Sequence, residues 1–204
     1  MHTEKYRGFT IELRKDGEPL NPRKENEHLG VMVCWHRCYK LGDEQPKESA
    51  GDYRKGLPTA RVELPLYLYD HSGVTIATTP VSCPWDSGQV GFIYVTWDAL
   101  ISSMLNNSKR APDWDALVIP GYRLEGEDPM TFRQLALAIL QSEVDEYNAY
   151  LTGDVLCYEL KDEHGDLVSS CSGFYPDASS DYSKRWDYLI QQCKEEVDHL
   201  LIKA

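Results

Sequence analysis

No apolar run in this chain approaches the length of a membrane span. The first residues, MHTEKYRGFTIELRKDGE, lack an apolar signal segment. The glycine loops that cradle phosphate, GxGxxG and GxxxxGK followed by Ser or Thr, are absent, and so are HExxH and GxSxG. Their absence weakens the commonest nucleotide-binding and hydrolase assignments. Low-complexity tracts and solenoid-type repeats are also missing. Basic charge is in deficit: 21 Lys and Arg face 33 Asp and Glu, a net charge of −12.

That deficit is uneven. Residues 1–60 hold 11 basic and 10 acidic groups, so the remaining 10 and 23 lie in residues 61–204, a net of −13 there. Repulsion from phosphates makes that region a poor nucleic-acid binder, and direct nucleic-acid binding is not expected. Spaced carboxylates would suit a basic partner, or would simply keep the chain in solution. Six cysteines in a chain of 204 residues without a signal segment read as reduced, mostly buried thiols of a cytoplasmic protein. Hydrophobic content of 42% with 26% charge is that of a folded chain, and 204 residues suffice for one sizeable core. A single domain over 1–204 is expected.

Taken in order, YRGFTIELR at 6–14 alternates as a strand, with Phe9, Ile11 and Leu13 on one face. LGVMVCWHRCY at 29–39 reads as a largely buried strand. Period two would put Val31, Val33, Trp35 and Arg37 on one face and Met32, Cys34, His36 and Cys38 on the other. Residues about 40–60 are polar and irregular. Strands at 64–69 and 74–79 flank the turn Asp70-His71-Ser72-Gly73 and form a hairpin. Residues 81–90 read as a loop, 91–96 as a strand, and 97–105 as a short helix with Thr96 as its N-cap.

Residues about 106–128 are irregular. Asp128 as cap and Pro129 in the first turn open a helix over about 129–151, with Gly153 at its C-terminal cap. Residues 154–160 and 167–172 form a second hairpin. A last helix spans about 183–202, starting near Asp181 or Ser183. Strands that do not alternate regularly with helices argue for an α+β fold: a mainly antiparallel sheet packed by two long helices.

Chemistry-bearing side chains concentrate at 70–89. Cys83 as nucleophile, His71 as base and Asp70 or Asp86 as orienter have the composition of a thiol catalytic set. Folding explains them better: Asp70, Ser72, Asp86 and Ser87 as turn formers, Cys83 and Trp85 as core plugs. A recognition surface of His71, Trp85, Asp86, Ser87 and Gln89 is the better expectation, since exposed aromatics dominate binding hot spots. Cys34, His36 and Cys38 would make an incomplete zinc site whose spacing is not a usual one, so neither a metal nor another cofactor is expected. Acidic side chains gather at Glu125, Glu127 and Asp128; at Glu143, Asp145 and Glu146; at Asp162, Glu163 and Asp166; and at Glu195, Glu196 and Asp198.

Two blocks, LPLYLYDHSGVTIATTPVSCPWDSGQVGFIYV at 64–95 and YLTGDVLCYELKDEHGDLVSSCSGFYP at 150–176, resemble those of a family of uncharacterised proteins of bacteriophages, plasmids and other mobile elements. VMVCWHR at 31–37 and LGDE at 41–44 are similar too. Cys38 stands where that family has Arg, Ser172 where it has Trp, and residues 107–128 read as an insertion. The departure at Cys38 weakens the metal idea further.

The resemblance implies a mobile-element setting in a host cytoplasm but no known activity. The resulting expectation is a non-enzymatic phage or plasmid protein. It would bind a protein partner, such as a basic nucleic-acid-binding protein of a restriction or CRISPR system, through an acidic surface. The alternative is the Cys83/His71 enzyme. Nucleic-acid binding through Arg14, Lys15, Arg23 and Lys24 ranks last.

Overall fold

The structure, a computed structural model, describes residues 2–80, 83, 85–105, 112–116, 130–176, 184 and 186–203. In chain order the elements are β1 (His2–Tyr6), β2 (Phe9–Lys15), α1 (Pro22–Glu25), β3 (Val31–Cys34), α2 (Ala50–Lys55), β4 (Arg61–Asp70) and β5 (Val74–Ala77). They continue with β6 (Ser87–Thr96), α3 (Trp97–Leu105), α4 (Phe132–Thr152), β7 (Leu156–Lys161), β8 (Leu167–Phe174) and α5 (Asp187–Lys203). The fold is α+β, with two four-stranded antiparallel sheets ordered β1-β2-β7-β8 and β3-β6-β4-β5. The chain divides into two compact units, Met1–Pro22 with Glu146–Ala204, and Arg23–Asp145. Among the described residues no helix is long and apolar enough to cross a membrane.

In the first unit the strand expected at 6–14 is in fact a hairpin. Arg7 (φ 48°) and Gly8 (φ 87°) make a two-residue turn between β1 and β2, with Tyr6 opposite Phe9. Positive φ at both turn residues matches the twist of paired strands. Ile11 and Leu13 of β2 with Leu156, Tyr158 and Leu160 of β7 make the sheet's buried face, packed by Leu189, Cys193 and Val197 of α5. The spacing of those three α5 residues is one helical stripe. Gly153 (φ 65°) ends α4, and Asp154 N–H closes the cap on Ala149 C=O at 2.8 Å.

In the second unit β6 lies between β3 and β4, and Phe92, Ile93, Tyr94 and Val95 are all buried. A strand covered on both faces reads as the continuous apolar run seen there. Thr96 caps α3 as expected, accepting from Ala99 N–H at 3.3 Å. Trp97, fully buried, meets Phe132 and Trp114 edge-on.

Three expectations change here. Residues 87–90 are strand rather than loop, because β4 runs to Asp70 and pairs Tyr69 with Ser87. The segment 40–60 contains α2, capped by Ser49 Oγ, which accepts from Asp52 N–H. Strand β3 stops at Cys34. Helix α4 begins with a reciprocal cap: Thr131 Oγ1 accepts from Gln134 N–H while Gln134 Oε1 accepts from Thr131 N–H. The expected starts at Asp128–Pro129 and at Asp181 or Ser183 lie outside the described residues, as does most of 106–128.

Candidate functional site

The residues singled out at 70–89 gather at one end of the second sheet. Ser72 (φ 57°) and Gly73 (φ 147°) turn the chain between β4 and β5, and His71 N–H closes the turn on Gly73 C=O at 3.1 Å. Asp70 N–H donates to Asp86 C=O at 2.9 Å, which stitches this tip to the start of β6. Asp86 Oδ2 lies 3.4 Å from His71 Nδ1 and accepts from the Cys83 thiol at 3.7 Å. Ser87 Oγ donates to Cys83 C=O. Beside them Trp85 is 92% exposed. Tyr69 stacks on His71, ring centroids 6.0 Å apart.

The thiol therefore faces a carboxylate, and that carboxylate stands between thiol and imidazole. A thiol nucleophile is activated by a base that a third group orients. Here the ordering is thiol, carboxylate, imidazole, and Asp70 turns elsewhere: its Oδ1 accepts from Tyr39 O–H at 3.3 Å. That contact brings in Tyr39, which the sequence did not single out, from the loop that follows β3. His36 Nδ1 accepts from the N–H groups of Cys38 (3.3 Å) and Tyr39 (3.1 Å), and its ring stacks on Tyr39. The tip thus displays Tyr39, Tyr69, His71 and Trp85 around two carboxylates. Gln89 points away from it, Nε2 donating to Gly91 C=O at 3.3 Å.

Cys34, His36 and Cys38 do not share a face. Cys34 is buried, and burial first, with Asp43 nearby, pushes its thiol up to about 12. His36 and Cys38 lie beyond the end of β3, with Cys38 exposed. Among the described residues no group of three or more His, Cys, Asp or Glu is placed to hold a metal ion. All six cysteines are free thiols.

Most of the acidic clusters are engaged within their own units. Glu143 is buried, accepting from Leu29 N–H (2.9 Å), Gly30 N–H (3.1 Å) and Arg23 Nη1 (2.9 Å). Arg23, its side chain 2% exposed, also binds both oxygens of Asp43 and the Gly30 carbonyl. Burial opposes the charge on Arg23, but these carboxylates outweigh it and raise its pKa.

Asp145 accepts from Gln141 Nε2, and burial raises its pKa. Asp162 holds the β7–β8 turn through His164 and Asp166 N–H, and Glu163 lies 3.6 Å from His164. Glu195 accepts from Gln191. Glu196 accepts from Tyr158 O–H and Ser169 O–H, both at 2.6 Å, and Asp198 from Tyr6 O–H at 3.2 Å. Glu125, Glu127 and Asp128 lie outside the described residues. Of the basic candidates, Arg14 pairs with Glu159 and Arg23 is buried.

A cleft of about 380 Å³ opens on the same unit, between Trp35, Ala50, Arg54, Gln89, Gly91 and Phe92. Only Gln89 of these was a candidate from sequence. No protein-family model, curated protein or solved structure matches this chain.

Proposed function

We propose that this chain is a non-enzymatic interaction protein that recognises a protein partner through the tip of its second sheet. The observation that carries this reading is Trp85: a large indole 92% exposed at the edge of a hydrogen-bonded turn, beside His71 and Asp86. An exposed indole on an ordered platform loses little conformational entropy on binding and fills a partner's pocket, as hot-spot residues do. Ser87 opens β6 next to it.

The partner we propose is a basic nucleic-acid-binding protein of a host restriction or CRISPR system, met in the host cytoplasm and inhibited by occupancy. Two things support it: a net charge of −12, which steers a basic partner inward, and the resemblance of 64–95 and 150–176 to mobile-element proteins. The carboxylates of α5 and the β7–β8 turn are tied into their own unit, so attraction by net charge, rather than a phosphate-like track, is the form this proposal takes. Immobilised protein should capture a nucleic-acid-binding protein from host lysate, with capture falling as salt rises and disappearing with Trp85→Ala. Equal capture by the variant overturns the proposal.

One observation favours a second reading, a cysteine-dependent enzyme: the Cys83 thiol and His71 imidazole meet on one carboxylate oxygen. An activated Cys83 would alkylate well below the pH at which ordinary thiols react. Labelling of Cys83 only under denaturing conditions removes this reading.

A further inference from the structure

One face of the second sheet carries Val33, Phe92 and Tyr94, with Trp35 and Tyr53 packed against them. The helix beside it, α2, has six residues and fully buries none of them. The polar ends of these rings are already satisfied. Trp35 Nε1–H donates to the Glu48 carbonyl at 2.8 Å, and Tyr53 O–H donates to Glu44 at 2.7 Å.

Arg54 is different. Its guanidinium lies 4.0 Å over the Phe92 ring, and its Nε donates to Glu63 Oε1 at 3.1 Å. The other oxygen of Glu63 accepts from Arg61 Nε at 3.2 Å, so one carboxylate serves two cations. The two terminal nitrogens of Arg54 have no acceptor among the described residues. Gln89 spends its amide N–H on Gly91 C=O, and its Oε1 has no donor among the described residues.

Both groups line the 380 Å³ cleft together with Trp35, Phe92 and the bare backbone of Gly91. A side chain at 91 is impossible as the strands stand: a Cβ there would lie 2.0 Å from the Val33 carbonyl oxygen. The cleft thus combines a flat aromatic wall, a forked cationic donor and a carbonyl acceptor. Phe92 covers one face of the guanidinium, and both residues line the cleft.

We propose that this cleft is a binding site for a planar aromatic anion, the chemistry shared by nucleoside monophosphates and aromatic carboxylates. The ring stacks on Arg54 beside Trp35, an anionic group on a flexible arm bends to the terminal nitrogens of Arg54, and an N–H on the ring, where it carries one, donates to Gln89 Oε1. A volume of about 380 Å³ is at the small end of the range for small-molecule sites. The site is independent of the Trp85 tip and would stand if that reading failed.

The test is a nitrogen-15 NMR titration of the full chain. One arm uses the four nucleoside 5′-monophosphates, the other indole-3-acetate, and inorganic phosphate and acetate serve as ring-free controls. Saturable shifts confined to the Trp35 indole N–H and the amides of Gln89–Gly91 are expected in at least one arm, and the arm identifies the source. Arg54→Ala and Gln89→Ala should each weaken binding about tenfold, and Arg54→Lys nearly as much, because an ammonium cannot stack or fork. Thermal unfolding and the Trp97 indole signal show whether each variant remains folded, and Gln89→Ala decides if Arg54→Ala does not. Three results overturn the proposal: no saturable shift in either arm, equal shifts with inorganic phosphate alone, or unchanged binding by folded Gln89→Ala and Arg54→Lys.

Discussion

The two units dispose of their charge in opposite ways. In the unit of residues 23–145, one guanidinium, Arg23, is sunk to 2% exposure between Asp43 and Glu143, and the same carboxylates hold the backbone N–H groups of Leu29, Gly30 and Met32. In the unit of residues 1–22 and 146–204, charge is spread over half-exposed pairs: Lys161 with Glu12 and Glu159, Lys194 with Glu4, Arg7 with Asp198. Pairs in water contribute little each, whereas a buried network is costly to break because what is left behind is an uncompensated charge. The lesson is one of concentration. Among the described residues one unit buries a polar knot, beside half-exposed pairs such as Arg61 with Glu63, and leaves aromatic surface open at its tip and cleft. The other spreads its polar contacts along its strands and last helix.

The most damaging substitution expected is Arg23→Met. It strands Asp43 and Glu143 and should cost about 3–5 kcal/mol. Denaturant titration followed by hydrogen exchange should show protection lost in β3, β6 and β4 while β2 and β7 keep theirs. Equal loss in both units would refute the contrast. Next comes Gly91→Ala, whose Cβ would meet the Val33 carbonyl at 2.0 Å. A backbone oxygen cannot swing aside, so about 1–3 kcal/mol is expected from the shift in melting temperature.

In the other unit, Tyr158→Phe removes one hydrogen bond to Glu196 and should cost about 1–2 kcal/mol. It also has a pH signature. Burial, then the bond to Glu196, pushes the Tyr158 hydroxyl from 10.0 up to about 12. A raised pKa means that the folded state holds the proton more tightly, so the contribution is complete below about pH 10 and disappears as pH rises through about 12. Stability measured from pH 8 to 12 should fall less steeply in Tyr158→Phe. The smallest effect on stability is that of Trp85→Ala: less than about 0.5 kcal/mol by denaturant titration, since its indole is in water. That variant keeps the fold while losing partner capture, which separates recognition from scaffold.

Much of the fold was legible because its signals are local. The Gly153 end of α4, the Thr96 cap and the β4–β5 turn residues act over a few neighbours, and local pattern reads neighbours. β1 gives no periodic signal because HTEKY is a polar edge strand, joined by a turn in which Arg7 itself takes positive φ. Ser87–Gln89 reads as a loop because Asp-Ser-Gly is turn chemistry, yet pairing with Tyr67–Tyr69 makes it strand. α2 is too short for periodicity to show. Of the site, the gathering of His71, Cys83 and Asp86 was foreseeable from a hairpin and its following loop. Tyr39 was not, since only the long return of the 36–39 loop brings its hydroxyl to Asp70, 31 residues away.

The α+β class with antiparallel strands follows from local sequence, because runs of period two, turn residues and helix caps are properties of adjacent residues. Tertiary structure decided which charges are buried and which rings are open. Arg23 finds Glu143 across 120 residues, and nothing near either foretells it. Trp35 and Trp85 look alike as letters, yet one walls a cleft and the other stands in solvent. Burial belongs to whatever the rest of the chain lays over a residue, and that is written in no neighbouring position.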